Sequence, residues 1–141
     1  MYEENNIRGS IKYLKKYKQL ISFEGMERMR KITPTDIDGL IDYNGNSFVY
    51  MEFKTDGKSI DYGQRLAIEH IINSHEQAGH KACALLIYHN CDADEIIMAK
   101  EKIIESVYQN NKWRDWKKAN QNLIEFLDYW ETWCLSKNVN L

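Results

Sequence analysis

The sequence predicts an α/β (α+β) fold in which helices flank a mixed central β-sheet. Two observations support this prediction. The pair Asn44-Gly45, typical of a tight turn, separates two short runs rich in strand-forming residues. After this hairpin, an amphipathic segment over 62–78 is followed by the apolar run 81–88, and such strand–helix–strand steps usually join parallel strands. An antiparallel hairpin that continues into a parallel step gives a mixed sheet.

The elements of the first half follow from apolar spacing and from turn residues. Apolar residues recur every three or four positions across 7–31, which predicts a helix that ends before Pro34. Strands are predicted over 36–43 and 48–53, on either side of the turn. Gly79 is expected to end the helix 62–78, because glycine readily adopts the left-handed conformation found after helix ends.

The second half is less regular. Residues 95–108 fit either one helix or strands, and we favour strands, with an Asn110-Asn111 turn leading to Trp113. A final helix is predicted over 123–135, with Asn120 or Asn122 as its cap.

Length and composition restrict the function classes. The 141 residues predict a single domain over 1–141, with a core over about 20–90 and a C-terminal strand and helix extension over about 91–141. A net charge of −2, from 19 basic and 21 acidic residues, excludes a uniformly cationic nucleic-acid binder. We expect a cytoplasmic protein with reduced thiols, without a membrane segment and without an organic cofactor, because no long apolar stretch, apolar leader or zinc spacing occurs.

The candidate site lies on the hairpin. Side chains alternate along a strand, so Glu52 and Lys54 share one face near the end of the second strand. The turn at 44–46 brings Asp38, on the partner strand, opposite that end. Two converging carboxylates form the oxygen-rich site that Mg²⁺ prefers, with Mn²⁺ as a substitute, and Lys54 could orient or deprotonate an attacking water.

The tripeptide acid-x-Lys is not specific by itself, because it occurs three times, at 52–54, 56–58 and 115–117. Only the first copy ends an apolar strand whose predicted partner strand carries an Asp. The strand context, rather than the tripeptide, therefore supports the site.

The segment Pro34-Thr-Asp-Ile-Asp38-Gly-Leu-Ile, followed by Val49-Tyr-Met-Glu52-Phe-Lys54, resembles the signature of the PD-(D/E)XK nuclease superfamily. That superfamily includes restriction endonucleases and the small Holliday-junction resolvases of phages and archaea. The resemblance covers about residues 20–90 and implies a restriction-endonuclease-like core. It also implies that Asp38 and Glu52 ligate Mg²⁺ and that Lys54 assists hydrolysis.

The resemblance implies further site residues and leaves alternatives open. Asp36 has the same strand parity as Asp38, and we favour Asp38 because an Asp-Gly-apolar-apolar run is how the superfamily's Asp often continues into its strand. Some members add a Glu from the first helix, a place that Glu27 or Glu24 could take, with Glu27 favoured as a third metal ligand. Many members carry a Gln at the start of the next helix, where Gln64 could hold a metal-bound water or a phosphate.

The sequence thus predicts a metal-dependent nuclease that hydrolyses DNA phosphodiester bonds, with branched or recombination DNA as a candidate substrate. We expect it to act as a homodimer, like small members of the superfamily. The expected DNA contacts are basic residues near the site or interleaved with aromatics near the C-terminus: Lys58, Arg65, Lys112, Arg114 and Lys117. One alternative is a catalytically inactive module on the same fold that binds a nucleic acid or a partner protein. The other is a phosphodiesterase acting on RNA or on a cyclic nucleotide.

Overall fold

The computed structural model describes residues 20–141, and the chain divides into two compact units, residues 1–34 and residues 35–141. In the first unit, residues 20–34 are exposed and contain a short 3-10 turn, Met29–Lys31. The predicted helix over 7–31 is wrong for its described part, because a turn at Phe23–Met26 with Gly25 at a φ of +79° interrupts the helical path. Residues 7–19 lie outside the described residues.

The second unit is built on a five-stranded sheet in the order β1-β2-β3-β4-β5. Its strands are β1 Gly39–Tyr43, β2 Ser47–Thr55, β3 Lys81–His89, β4 Ile104–Gln109 and β5 Lys112–Asp115. Strands β2 and β3 are parallel, and the other neighbouring pairs are antiparallel. The predicted mixed sheet flanked by helices is confirmed, whereas the predicted single domain over 1–141 stays a prediction, since the sheet and its helices belong to the second unit.

The β1–β2 hairpin has its turn where the sequence predicts it. Asn44 and Gly45 both adopt positive φ angles, +56° and +76°, a conformation that Asn and Gly tolerate best. The Asp42 carboxylate accepts a hydrogen bond from the Gly45 N–H at 2.6 Å. Strand β1 begins at Gly39 rather than at position 36, so the acidic segment 36–38 lies just outside the sheet ladder.

Two α-helices cover the faces of the sheet in this unit. Helix α1, Tyr62–Gln77, matches its predicted range, and Gly79 follows its end at a φ of +88°. Helix α2, Leu123–Ser136, begins with a capping box in which the Asn122 side chain accepts from the Glu125 N–H and the Glu125 carboxylate accepts from the Asn122 N–H. Across residues 20–141, every helix is too short or too polar to span a bilayer.

The region 95–108 is a strand only in its second half. Residues 95–103 contain a 3-10 turn, Ala99–Glu101, and the apolar side chains of Ile96 and Met98 are exposed, because this segment has no neighbouring strand to pair with. The strand prediction is therefore wrong before β4 and confirmed within it. Asn110 and Asn111, at φ angles of +53° and +62°, form the predicted turn into β5.

The two faces of the sheet bury different cores. On the α1 face, Ile68 and Ile72 pack against the small residues Ala82 and Ala84 of β3. The α2 face is larger and more aromatic, with Val49, Met51, Cys83, Leu85, Ile87, Val107, Phe126 and Trp130 in one cluster. Because side chains alternate along β2, Glu52 and Lys54 lie on the α1 face.

Candidate active site

The strand register places Asp38 opposite Glu52. In the β1–β2 ladder, Gly39 pairs with Met51 and Leu40 pairs with Tyr50. One further step in the same register pairs Asp38 with Glu52, and residues directly opposite each other in an antiparallel pair point to the same face. The hairpin turn and the strand length therefore determine that these two carboxylates meet.

One hydrogen bond joins the two acidic residues, and a second joins Asp38 to the residue that follows Glu52. The Asp38 backbone N–H donates to Glu52 Oε1 at 3.1 Å, and the Phe53 backbone N–H donates to Asp38 Oδ2 at 2.8 Å. Glu52 is only 3% exposed, whereas Asp38 is exposed. The pair thus consists of one buried carboxyl group and one that reaches the solvent.

Gln64, in the first turn of α1, completes the cluster from the helix side. Its Nε2 donates two hydrogen bonds, to Glu52 Oε2 at 2.6 Å and to the backbone oxygen of Asp36 at 3.3 Å. Its Oε1 is buried and, among the described residues, has no hydrogen-bond partner. An unpaired amide oxygen beside two carboxylates adds a third oxygen donor to the site.

Asp36 and Asp38 have different surroundings. Asp36 is exposed and contributes its backbone oxygen to the Gln64 amide, whereas Asp38 contributes its carboxylate to the β2 backbone beside Glu52. These contacts favour Asp38 as the second carboxylate of the site, although the assignment of metal ligands stays a prediction.

The Glu52 carboxyl group has a strongly shifted pKa. Desolvation by burial is the main cause and the negative charge of Asp38 adds to it, and together they raise the pKa of Glu52 to about 7. The hydrogen bond from the Asp38 N–H and the positive charge of Lys54 act in the opposite direction. Near neutral pH, the site therefore holds a carboxyl group that is close to its own midpoint of ionisation.

Lys54 lies two residues beyond Glu52 on the same face of β2 and is partly buried. Its charge lowers the Glu52 pKa, but among the described residues its ammonium group forms no ion pair with Glu52 or with Asp38. Hydrogen bonds thus bring Asp38, Glu52 and Gln64 together, with Lys54 on the same face of β2.

The donor set of this cluster is compatible with a divalent cation. Carboxylate and amide oxygens are the ligands that Mg²⁺ and Mn²⁺ prefer, and the unpaired Gln64 Oε1 is an oxygen with unused acceptor capacity. A cation would also relieve the repulsion between Asp38 and Glu52. Within residues 20–141, no cluster of three or more His, Cys, Asp and Glu side chains is arranged to hold a metal, so protein carboxylates would supply only part of its coordination.

The remaining predicted site residues are dispersed. Lys58 is exposed in the turn after β2, and Arg65 follows Gln64 on α1, with its Nε 3.4 Å from the Glu69 carboxylate. Glu27 is exposed in the first unit, just before the 3-10 turn.

Lys112 and Arg114 of β5 do not share the face of Glu52. Trp113 packs into the α1-side core, so the alternation along β5 directs Lys112 and Arg114 to the opposite face. Strand β5 is also three strand spacings from β2, about 14 Å. Lys117 forms an ion pair with Glu105 at 2.9 Å. A DNA-binding role for these three residues stays a prediction, but one surface cannot present all of them together with Lys54.

Sequence reasoning did not identify the polar partners that orient the acidic pair. The Phe53 N–H and the Asp36 carbonyl oxygen are backbone groups, whose roles depend on register rather than on residue type. The position of strand β1 could have indicated them, because the ladder stops at Gly39 and leaves the Phe53 N–H without a strand partner on that side.

Comparisons with protein-family models, with curated proteins and with solved structures gave no match for this chain.

Proposed function

We propose that this protein is a metal-dependent nuclease that hydrolyses phosphodiester bonds in DNA and belongs to the PD-(D/E)XK superfamily. The observation that carries the proposal is the pairing of Asp38 with the buried Glu52, whose pKa is raised to about 7. Titratable groups with pKa values shifted toward neutrality are concentrated at functional sites. Lys54, on the same face of β2, adds the lysine that the PD-(D/E)XK signature combines with two acidic residues.

Asp38 and Glu52 would hold Mg²⁺ or Mn²⁺. When bound, the cation neutralises charge on the phosphate and makes a coordinated water more acidic. Glu52 must be ionised to serve as a ligand, so binding the cation releases the proton that this carboxyl group retains below about pH 7.

Lys54 and Gln64 have separate roles in this proposal. The Lys54 ammonium group orients the attacking water and stabilises negative charge that develops on the phosphate oxygens. Gln64 Nε2 fixes the orientation of Glu52, while its Oε1 is available to hold a water. Water attacks phosphorus in line and loses its proton to solvent, the bond to the 3′ oxygen breaks, and that oxygen leaves with a proton from solvent.

The assembly and compartment belong to the same proposal. A homodimer would present one active centre to each strand of a duplex, as small members of the PD-(D/E)XK superfamily do. Cys83, Cys91 and Cys134 are free thiols, which is typical of a reducing compartment and supports a cytoplasmic location.

The test is a cleavage assay on supercoiled, branched and single-stranded DNA with Mg²⁺ or Mn²⁺. We expect the wild-type protein to cut at least one substrate and Lys54→Ala to lose at least about 100-fold in rate. Lys137→Ala is the matched control, because Lys137 is an exposed lysine at the end of α2, which packs against the Ser47 end of β2, opposite the Lys54 end. The proposal fails if wild-type protein cuts none of these substrates or if Lys54→Ala is as active as Lys137→Ala.

A binding module without catalysis is the second candidate, and one observation favours it. Both Glu52 oxygens already accept hydrogen bonds within the protein, from the Asp38 N–H and from Gln64 Nε2. A cluster with these internal hydrogen bonds could have the purely structural role of fixing the edge of the sheet at β1. Calorimetric titration with Mn²⁺ separates the candidates: a binding isotherm that Glu52→Gln abolishes supports the nuclease, and the absence of binding even with DNA present supports the module.

A further inference from the structure

A cavity of about 290 Å³ lies where the parallel strands β2 and β3 end. Its walls include polar side chains from the turn after β2, from the end of β3 and from the segment before and within β4: Asp56, Tyr88, His89, Glu101, Lys102 and Glu105. The proposed nuclease chemistry uses none of these residues.

The strand register connects this cavity to the candidate active site. In the parallel β2–β3 ladder, Glu52 pairs with Leu86 and Lys54 pairs with Tyr88. Paired residues of neighbouring strands point to the same face and are about 5 Å apart, so Tyr88 lies directly beside Lys54. The Tyr88 wall of the cavity is therefore one strand spacing from Lys54 and lies two residues further along the strands than Glu52.

The cavity wall is fixed by contacts within the protein. The Asp56 backbone N–H donates to the His89 carbonyl oxygen at 2.9 Å, which ties the turn after β2 to the end of β3. His89 Nδ1 accepts from the Cys91 N–H at 3.2 Å, and the Glu105 carboxylate is held by Lys117 at 2.9 Å. These contacts hold the acidic side and the aromatic side of the cavity in place.

The chemistry of the lining disfavours a phosphate and favours a nucleobase. Asp56, Glu101 and Glu105 supply three carboxylates, against one lining cation, Lys102, and the cation of Lys117 that pairs with Glu105. The excess of carboxylates repels phosphate oxygens, and carboxylates accept hydrogen bonds from the exocyclic amines of cytosine, adenine and guanine. Tyr88 is partly exposed and offers an aromatic ring on which a base can stack. A base reaches such a cavity only when it is unpaired.

We propose that this cavity binds an unpaired nucleobase of a DNA strand, next to the phosphodiester bond that Lys54 faces, and that it prefers bases carrying an exocyclic amine over thymine. The inference rests on the proposed nuclease function and adds a substrate class to it, single-stranded or locally unpaired DNA. Tyr88 stacks on the base, and the carboxylates read its amino group.

The first experiment measures binding without metal. A short single-stranded DNA containing 2-aminopurine, an amine-bearing fluorescent base, is titrated with protein in the presence of EDTA. We expect stacking on Tyr88 to quench the fluorescence, Tyr88→Phe to retain the quenching, and Tyr88→Ala to bind about 10-fold more weakly without quenching. Tyr129→Ala is the control, because Tyr129 is a partly exposed tyrosine of α2, and it should behave like wild-type protein. Equal quenching by Tyr88→Ala and wild type, with melting temperatures equal within error, overturns the inference.

The second experiment separates this inference from the nuclease proposal. Cleavage of oligodeoxycytidylate and of oligothymidylate is compared with Mg²⁺, and we expect about 10-fold faster cleavage of the amine-bearing polymer, with the difference lost in Glu105→Gln. Equal cleavage of the two polymers by an active enzyme overturns the base cavity and leaves the nuclease proposal intact. Absence of cleavage of every substrate overturns the nuclease proposal and, with it, the substrate role of the cavity, while quenching in EDTA would still establish base binding.

Discussion

The two faces of the sheet treat buried polar groups in opposite ways. On the α2 face, the Ser47 hydroxyl is fully buried, accepts a hydrogen bond from Trp130 Nε1 at 3.0 Å, and lies 3.6 Å from the Cys134 sulfur. On the α1 face, the buried Glu52 lies beside a second carboxylate and beside the unpaired Gln64 Oε1. The polar group at Ser47 has its partners, whereas the carboxyl group at Glu52 retains electrostatic repulsion.

Under the proposed function, this difference separates a face that serves stability from a face that serves chemistry. A buried polar group with all its partners rigidifies the core, whereas a buried carboxyl group beside a like charge destabilises the fold. Natural proteins tolerate such local conflicts mainly at functional sites. The same strand, β2, contributes to both faces, with Ser47 and Glu52 near its opposite ends.

The largest expected effect is on catalysis. Glu52→Gln should lower the DNA cleavage rate by at least about 1,000-fold, because it removes an anionic metal ligand. The matched control is Glu131→Gln, the same change at a residue that accepts a 2.7 Å hydrogen bond from the Tyr43 hydroxyl on the α2 side. We expect the control to stay within about twofold of wild-type activity. Similar losses in both variants would contradict the functional division between the faces.

The next effect is on stability. Trp130→Ala should lower the free energy of unfolding by about 3–5 kcal/mol, because the indole is 2% exposed and lies at the centre of the α2-side core. Urea denaturation followed by circular dichroism measures this loss. A change below about 1 kcal/mol would mean that the aromatic face is not the main source of stability.

A smaller loss of stability is expected when the hydroxyl group that accepts from Trp130 is removed. Ser47→Ala leaves Trp130 Nε1 buried without its acceptor, which should cost about 1–3 kcal/mol. The denaturation midpoint of Ser47→Ala, compared with that of wild type, measures the cost. Stability equal to that of wild type would show that the α2 face does not depend on polar satisfaction.

The smallest effect is the pH dependence of stability. The folded-state pKa of Glu52 is raised to about 7 from an ordinary value of 4.5, so the folded state binds more protons than the unfolded state between these values. The stabilisation of the folded state by protonated Glu52 is therefore fully present below pH 4.5 and is lost as pH rises to 7. This loss of stability is on the order of 1–2 kcal/mol after allowance for solvent screening.

Thermal denaturation between pH 5 and pH 8 checks this sign. Glu52→Gln should remove this component of the pH dependence and should be more stable than wild type at pH 8, since Gln64 can turn its unpaired Oε1 toward the new amide. A variant with the same pH profile as wild type would place the titrating group elsewhere.

Local signals in the sequence were sufficient to predict most of the sheet and both described helices. Some residues specify a backbone conformation through their own chemistry: Asn44-Gly45, Gly79 and Asn122. The strands and helices that begin or end at these residues are close to the predicted ranges. The predictions for 20–31 and 95–103 are wrong because apolar spacing alone does not show whether a neighbouring element is available for packing.

Local signals were also sufficient to predict part of the candidate site. The pairing of Asp38 with Glu52 follows from the turn position and the strand period, both of which are local. The separation of Lys112 and Arg114 from that face follows from the strand order, which places β5 at the far edge of the sheet. Strand order depends on long-range packing and could not be predicted from the residues near β5.

The most direct test is a crystal structure of the protein soaked with Mn²⁺ at pH 8, where Glu52 is ionised. We predict an anomalous-scattering peak between the carboxylates of Asp38 and Glu52, and no such peak in Glu52→Gln crystals treated in the same way. A wild-type structure in which Asp38 and Glu52 keep their present hydrogen bonds, with no peak between them, would contradict the metal-dependent account.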